Sequence, residues 1–158
     1  SPYKLICASK EAELIKYGGN CWFFFKVIFI NMLYDLAEKL GVDYEIIKEA
    51  MAADPRIGSS HLTPAHDTKD EIKKNQLGYA DFHLNPVHKS GRGAGGHCFI
   101  KDFAAFSKLY KEKVGDEAGL KALESIVNKN IDLLVKSNKD LDLLKGVYGE
   151  DVLNSRKS

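Results

Sequence analysis

An excess of charge of either sign is missing from this chain. Its 158 residues hold 23 Lys and Arg against 22 Asp and Glu, a net of +1, so there is no basic stripe of the kind that binds nucleic acid. Cysteine is scarce. Cys7, Cys21 and Cys98 are odd in number and none stands in a CxxC pair; this argues against a disulfide framework and points to free thiols in the reducing cytoplasm. Long uninterrupted apolar runs are also lacking. The richest, CWFFFKVIFI from Cys21 to Ile30, is broken by Lys26 and is too short to cross a bilayer. No secretory signal is read ahead of it. Strand-like alternation of useful length and internal repeats are absent, so neither a membrane nor a nucleic acid is expected as a partner.

What remains is helical periodicity, and the chain reads as all-α. Ser9 is expected to cap a long helix whose first turn carries Glu11 and Glu13 and which runs to Leu40, where Gly41 stops it. Its middle is apolar nearly all round, so that part is expected to be buried on most sides. Gly18 and Gly19 interrupt it beside Asn20, either as a tolerated kink or as room for a ligand or a crossing backbone. A second helix starts near Asp43 and ends before Pro55. A long loop from 55 to 97 follows, with a short helix around 68–74. A third helix runs from about Phe99 to Val114, and Asp116 caps a fourth with Leu120, Leu123, Val127, Ile131 and Leu134 on one face. From Asn138 onward the chain reads as a polar tail with one helical turn at 141–144. The expected division is a helical domain over 1–137 and a tail over 138–158. The aromatic surplus of the first helix (Trp22, Phe23, Phe24, Phe25, Phe29) suggests a homodimer built on residues 9–40.

The most informative stretch is GAGGHCFIKD, Gly93 to Asp102. Cys98 follows four glycines in six residues (Gly91, Gly93, Gly95, Gly96) and precedes an apolar run. Glycines let backbone approach a ligand, and a thiol at a helix start is favoured as thiolate. A lone cysteine after a flexible loop is otherwise an inert thiol. In ELIKYGGN, Lys16 and Asn20 are i and i+4 and share a face; Cys98 and Asp102 have the same spacing. Thiol, cation, amide and carboxylate together suit covalent attack on a carbonyl: Cys98 as nucleophile, Lys16 and Asn20 on the oxyanion, Asp102 tuning Lys16 or a water.

The segments ELIKYGGN, DPRIG (Asp54 to Gly58) and GAGGHCFIKD, in this order, resemble the central domain of the nucleotide-sugar 6-dehydrogenases, the UDP-glucose and GDP-mannose dehydrogenase family. The resemblance covers residues 9 to 137. It implies an all-α fold like the C-terminal domain of 6-phosphogluconate dehydrogenase and a place in NAD-dependent oxidation of a nucleotide sugar to its uronate. By the same resemblance Cys98 would form a thiohemiacetal and then a thioester at the sugar C6. Lys16, Asn20 and Asp102 would support it. Arg56 would contact substrate across a dimer interface, with Gly95, Gly96 and Phe99 also on the substrate and Lys101 on the cofactor. Two departures stand out: an extended stretch between Arg56 and Cys98 that includes the charged run Asp67 to Asn75, and Ile100 where the family has proline. The family's dinucleotide-binding and nucleotide-sugar-binding domains are not read in these residues, so the chain alone is expected neither to bind NAD nor to turn over.

GRGAGG at Gly91 to Gly96 matches the GxGxxG fingerprint literally, but FHLNPVHKS before it is no buried strand and no acidic residue ends a following strand. As a loop, Lys89, Arg92 and the glycine amides are candidates for a substrate pyrophosphate. Two alternatives belong to other classes. One is a zinc site among His61, His66, His83, His88, His97 and Cys98, although no pair has a familiar ligand spacing, and no metal is expected. The other is a dimerisation scaffold with no chemistry of its own.

Overall fold

A computed structural model describes residues 4–66 and 91–154. The long first helix organises them. α1 (Ser9–Leu40) spans 32 residues, a rod of roughly 48 Å. It is followed by α2 (Tyr44–Ala53), α3 (His97–Lys113), α4 (Glu117–Lys136) and α5 (Leu141–Tyr148). The strands β1 (Ala65–His66) and β2 (Gly91–Arg92) pair antiparallel, Ala65 opposite Arg92. The all-α architecture read from periodicity is the one observed.

α1 buries one face and exposes the other, so its middle is not buried on most sides as expected: Trp22 and Phe29 lie on the exposed face. Cys21, Phe24, Val27, Ile28 and Asn31 point inward, at the i, i+3, i+4 spacing that makes a helical stripe. α3 lies along them in the opposite sense, since Asn20 meets Asp102 while Asn31 meets Arg92. Phe24 stacks on Phe103 at 4.1 Å between centroids and Phe25 meets the same ring edge-on. Burying each such ring contributes up to about 3 kcal/mol. By length and composition α1 could cross a membrane; in this fold it is the element on which the others pack.

The helix ends follow from local chemistry. Gly41 takes φ 66° and closes α1, with the Val42 N–H donating to the Ala37 carbonyl. The Asp43 carboxylate accepts from the Glu45 N–H, and α2 stops at Asp54, held extended ahead of Pro55. Asp116 accepts from the Gly119 N–H and starts α4. At the start of α1 the outcome differs from expectation. Ala8 is the cap residue and Ser9 is already helical; the Glu11 carboxylate reaches back to the Ala8 N–H at 2.8 Å and does the capping.

Two further differences bear on the site. α1 runs unbroken through Gly18 and Gly19, and a Cβ added at either would meet nothing within 4 Å. The expected polar tail is folded. α5 spans eight residues rather than one turn. Its Leu144 is fully buried with Ile100, Ile131 and Leu134, and Lys139 and Asp140 ahead of it are buried too. The charged stretch NKDLDLLKG masked an i, i+3 apolar stripe (Leu141, Leu144, Val147) that needs α3 and α4 to cover it. The expected helix over 68–74 lies outside the described residues.

Candidate active site

Asp102 joins the two helices. Its side chain is 10% exposed and receives Lys16 Nζ on Oδ1 at 3.3 Å and Asn20 Nδ2 on Oδ2 at 2.6 Å. The shared i, i+4 face of α1 is therefore met by a single carboxylate from α3. A buried carboxylate keeps its charge only when paired and hydrogen-bonded, and both oxygens here are. The Lys16 side chain stays 63% exposed. An ammonium has three N–H donors, so Lys16 can grip Asp102 with one and still address a ligand from the solvent side.

Cys98 is the second residue of α3 and is exposed. It lies on Asp102's face one turn earlier, about 6 Å along the axis. The contrast with Cys21 is chemical. Cys21 is buried under the pair, its Sγ 4.0 Å from the Asp102 carbonyl oxygen. Burial first, and then the Asp102 charge, push its thiol up to about 11. It remains protonated and unreactive in the neutral range. Beside Lys16, Tyr17 donates to Glu13 at 2.9 Å, and that bond holds its hydroxyl above the usual tyrosine range.

Phe99 is half-buried on the Phe24–Phe103 cluster and its ring lies 5.8 Å from His61, which stacks on Phe23 at 4.4 Å. Lys101 is exposed on α3 beside Asp102. Arg56 is outside this cluster: its side chain is 88% exposed and bonded to Asp54, whose carboxyl it holds below the usual range. Lys26 bonds the carbonyls of Ile57 and Gly58 at 2.9 and 3.2 Å and so ties the DPRIG turn to α1.

The glycine loop differs from what was expected of it. Its amides are engaged inside the protein: Arg92 N–H with Ser137 Oγ, Ala94 N–H with Asn130 Oδ1, Gly95 N–H with the Gly93 carbonyl and Gly96 N–H with Asp140 Oδ2. They do not form an open cradle for a pyrophosphate. The Arg92 side chain likewise turns inward, to Asn31 Oδ1 at 2.7 Å, the Asn31 carbonyl at 3.0 Å and Asp35 at 2.7 Å, and lies over the Tyr34 ring. Gly95 and Gly96 face the turn at Lys139 and Asp140. Lys89, His83, His88 and the run from Asp67 to Asn75 lie outside the described residues. Among the described residues no group of three His, Cys, Asp or Glu is placed to hold a metal ion.

Sequence reasoning passed over Asn31, Asn130, Lys139 and Asp140, all buried. A signal was present for Asn130, an amide on the apolar stripe of α4 between Val127 and Leu134. Asn31 on the inner stripe of α1 is the same kind of signal. A buried amide must be hydrogen-bonded.

Comparison with known proteins places the chain among named relatives. Residues 10–68 match the UDP-glucose/GDP-mannose dehydrogenase family, central domain. The chain is similar to the UDP-glucose 6-dehydrogenase YwqF of Bacillus subtilis, 31% identical over 143 residues that cover 90% of this chain and 26% of the relative. It is also similar to the UDP-glucose 6-dehydrogenases of Rickettsia bellii (31% over 119 residues, 75% of this chain and 21% of the relative) and Pseudomonas aeruginosa (28% over 137 residues, 87% and 24%). The chain thus spans about a quarter of the length of such relatives. No solved structure matches.

Proposed function

We propose, for a chain that belongs to the UDP-glucose/GDP-mannose dehydrogenase family, that it supplies the covalent centre for oxidising the C6 alcohol of a nucleotide sugar to a carboxylate. The observation that carries this reading is the cluster just described. An exposed thiol at the start of α3 stands one turn from a buried carboxylate that already holds a lysine and an asparagine from α1. Bound NAD would accept a hydride from C6 at each of two oxidation steps. Between them the Cys98 thiolate adds to the C6 aldehyde carbon, forming a carbon–sulfur bond, and the oxygen takes a proton to give a thiohemiacetal. Loss of the hydroxyl proton and of the second hydride, which a second NAD would accept, leaves a thioester. Water then adds to its carbon, the carbon–sulfur bond breaks, and the carboxylate departs with Cys98 restored. Lys16 and Asn20, oriented by Asp102, stabilise the oxygen charge in the addition and hydrolysis steps.

Of this chain's residues, Lys101 is the cation suited to a dinucleotide phosphate, and Phe99 beside Cys98 suits the sugar face. The internally engaged amides of 92–96 support a reading in which the rest of NAD and the nucleotide base are held by other parts of the protein. The chain on its own is then inactive. Free thiols suit the cytoplasm.

The outer face of α1 supports a homodimer. Ile15, Trp22, Phe29 and Leu36 recur every seven residues and are exposed, with Met32 and Leu40 beside them; such a stripe is a seam for a second helix. A scaffold role and a catalytic role are compatible on this reading, since Arg56 would then face the partner's substrate. In the full protein, with UDP-glucose and NAD, Cys98→Ser should lower acid formation by at least about a thousandfold. Acid formation unchanged in that variant overturns the covalent role. Phe29→Glu should yield monomer by light scattering; a Phe29→Glu dimer as tight as the parent removes the α1 seam.

A further inference from the structure

We infer that Lys139 and Asp140, in the turn between α4 and α5, are positioning residues that fix the Cys98 thiol; as a statement about catalysis this rests on the function proposed above. The glycine loop has too little side chain to order itself. With backbone entropy of about 1–2 kcal/mol per residue opposing order, four glycines in six residues would leave the first turn of α3, which bears Cys98, free to fray. The order comes from outside the loop. Lys139 Nζ donates to the carbonyls of Gly91 and Gly93 at 3.0 and 3.3 Å, and Asp140 Oδ2 accepts from the Gly96 N–H at 2.7 Å. Gly96 is the residue that caps α3, two positions before Cys98.

The fit around Gly95 is close. A Cβ there would collide with the Asp140 carboxylate and the Lys139 stem. Both side chains are buried, Lys139 4% and Asp140 6% exposed; Lys139 Nζ and Asp140 Oδ2 are hydrogen-bonded to the loop, while Asp140 Oδ1 has no hydrogen-bond partner among the described residues. Asp140 is set for the contact by a left-handed backbone at φ 53°, a conformation that costs of order 1 kcal/mol for a non-glycine residue and that the surroundings must hold in place. The α3 N-terminus therefore meets a carboxylate at its first N–H, the favourable pairing for a helix dipole. The first turn of α3, which bears Cys98, is held where that N–H is held.

The test reads the thiol itself. Alkylation of Cys98 by iodoacetamide, followed by peptide mass spectrometry and divided by the rate at Cys7 in the same molecule, should change by about tenfold in Asp140→Ala. It should return to near the parent value in Asp140→Asn, which keeps an oxygen for the Gly96 N–H. A rate ratio unchanged in a folded Asp140→Ala protein overturns the proposal, as does failure of Asp140→Asn to restore it. If Asp140→Ala does not fold, amide exchange in the unaltered protein decides. Slow exchange at Gly96 supports the bond, and exchange at the rate of an open loop overturns it. Turnover does not enter the readout, so absence of dehydrogenase activity counts against the catalytic reading alone.

Discussion

Two turns carry the candidate functional residues, and they are built in opposite ways. The glycine loop before Cys98 is gripped by buried side chains from α4 and the turn beyond it: Asn130 on both polar groups of Ala94, Ser137 on Arg92, Lys139 and Asp140 on the glycines. The DPRIG turn is exposed. It is held by Lys26 from α1 and by the Asp54–Arg56 pair within itself. The glycine loop is thus ordered by distant residues of the same chain, whereas the Arg56 side chain is exposed and paired only with its neighbour Asp54. Precision here comes from buried hydrogen bonds; surface ion pairs contribute little.

The sharpest way to break this contrast is Asn130→Ala. It leaves the Ala94 N–H and carbonyl buried without partners, and the loss should be about 2–4 kcal/mol, read from urea unfolding. A loss below about 0.5 kcal/mol would mean water replaces the amide and the loop is less enclosed than described. Lys26→Met should cost less, about 1 kcal/mol, because two carbonyls of an exposed turn then turn to solvent. Amide exchange should rise around Ile57 and stay unchanged around Ala94; equal rises would erase the distinction between the two turns.

Smaller still is a pH effect under Asp102. The Cys21 thiol titrates near 9.0 when unfolded and is pushed up to about 11 in the fold. Unfolding therefore releases a proton between those values, so stability is full below pH 9 and falls as pH rises towards 11. Tyr148, pushed up to about 12 by burial, extends the fall to higher pH. Cys21→Ala should flatten the early part of that decline in melting curves taken across pH; an unchanged slope would show Cys21 to be solvated. The smallest effect belongs to Arg56→Ala. Its guanidinium is exposed to solvent and its ion pair is local, so the melting temperature of the isolated chain should not move measurably. Any effect of that change should appear in substrate use by the full protein.

The same contrast marks what could be read from the sequence. Elements closed by local chemistry were legible: α1 at Gly41, α2 between Asp43 and Pro55, α4 from Asp116. The meeting of Lys16, Asn20 and Asp102 was legible only through the family resemblance, since i, i+4 polar pairs by themselves are common on solvated helix faces. What escaped depends on distant partners. Lys139 and Asp140 sit in a charged run that is ordinarily solvated, and nothing local to NKDLD reveals that a glycine loop more than forty residues earlier will close over it. Arg92 suffered the reverse error. A basic residue among glycines suggests an anion, yet Asn31 and Asp35 on α1 take its guanidinium. Ser9 looked like a cap by residue type, while Glu11 satisfied the helix start from inside the first turn.

The short pairing of β1 with β2 has a consequence for how this chain can change. Ala65 and Arg92 are opposite one another in the ladder, and Arg92 is anchored in turn to Ser137 and Asn31. Pro64, just before β1, gives its carbonyl to the same Asn31 side chain. The chain therefore leaves and re-enters this part of the fold through a gate only two residues wide, bolted to the longest helix. One amide thus pins both sides of the gate: Asn31 accepts from the Arg92 guanidinium on its oxygen and donates its N–H to the Pro64 carbonyl, so its loss would free both at once.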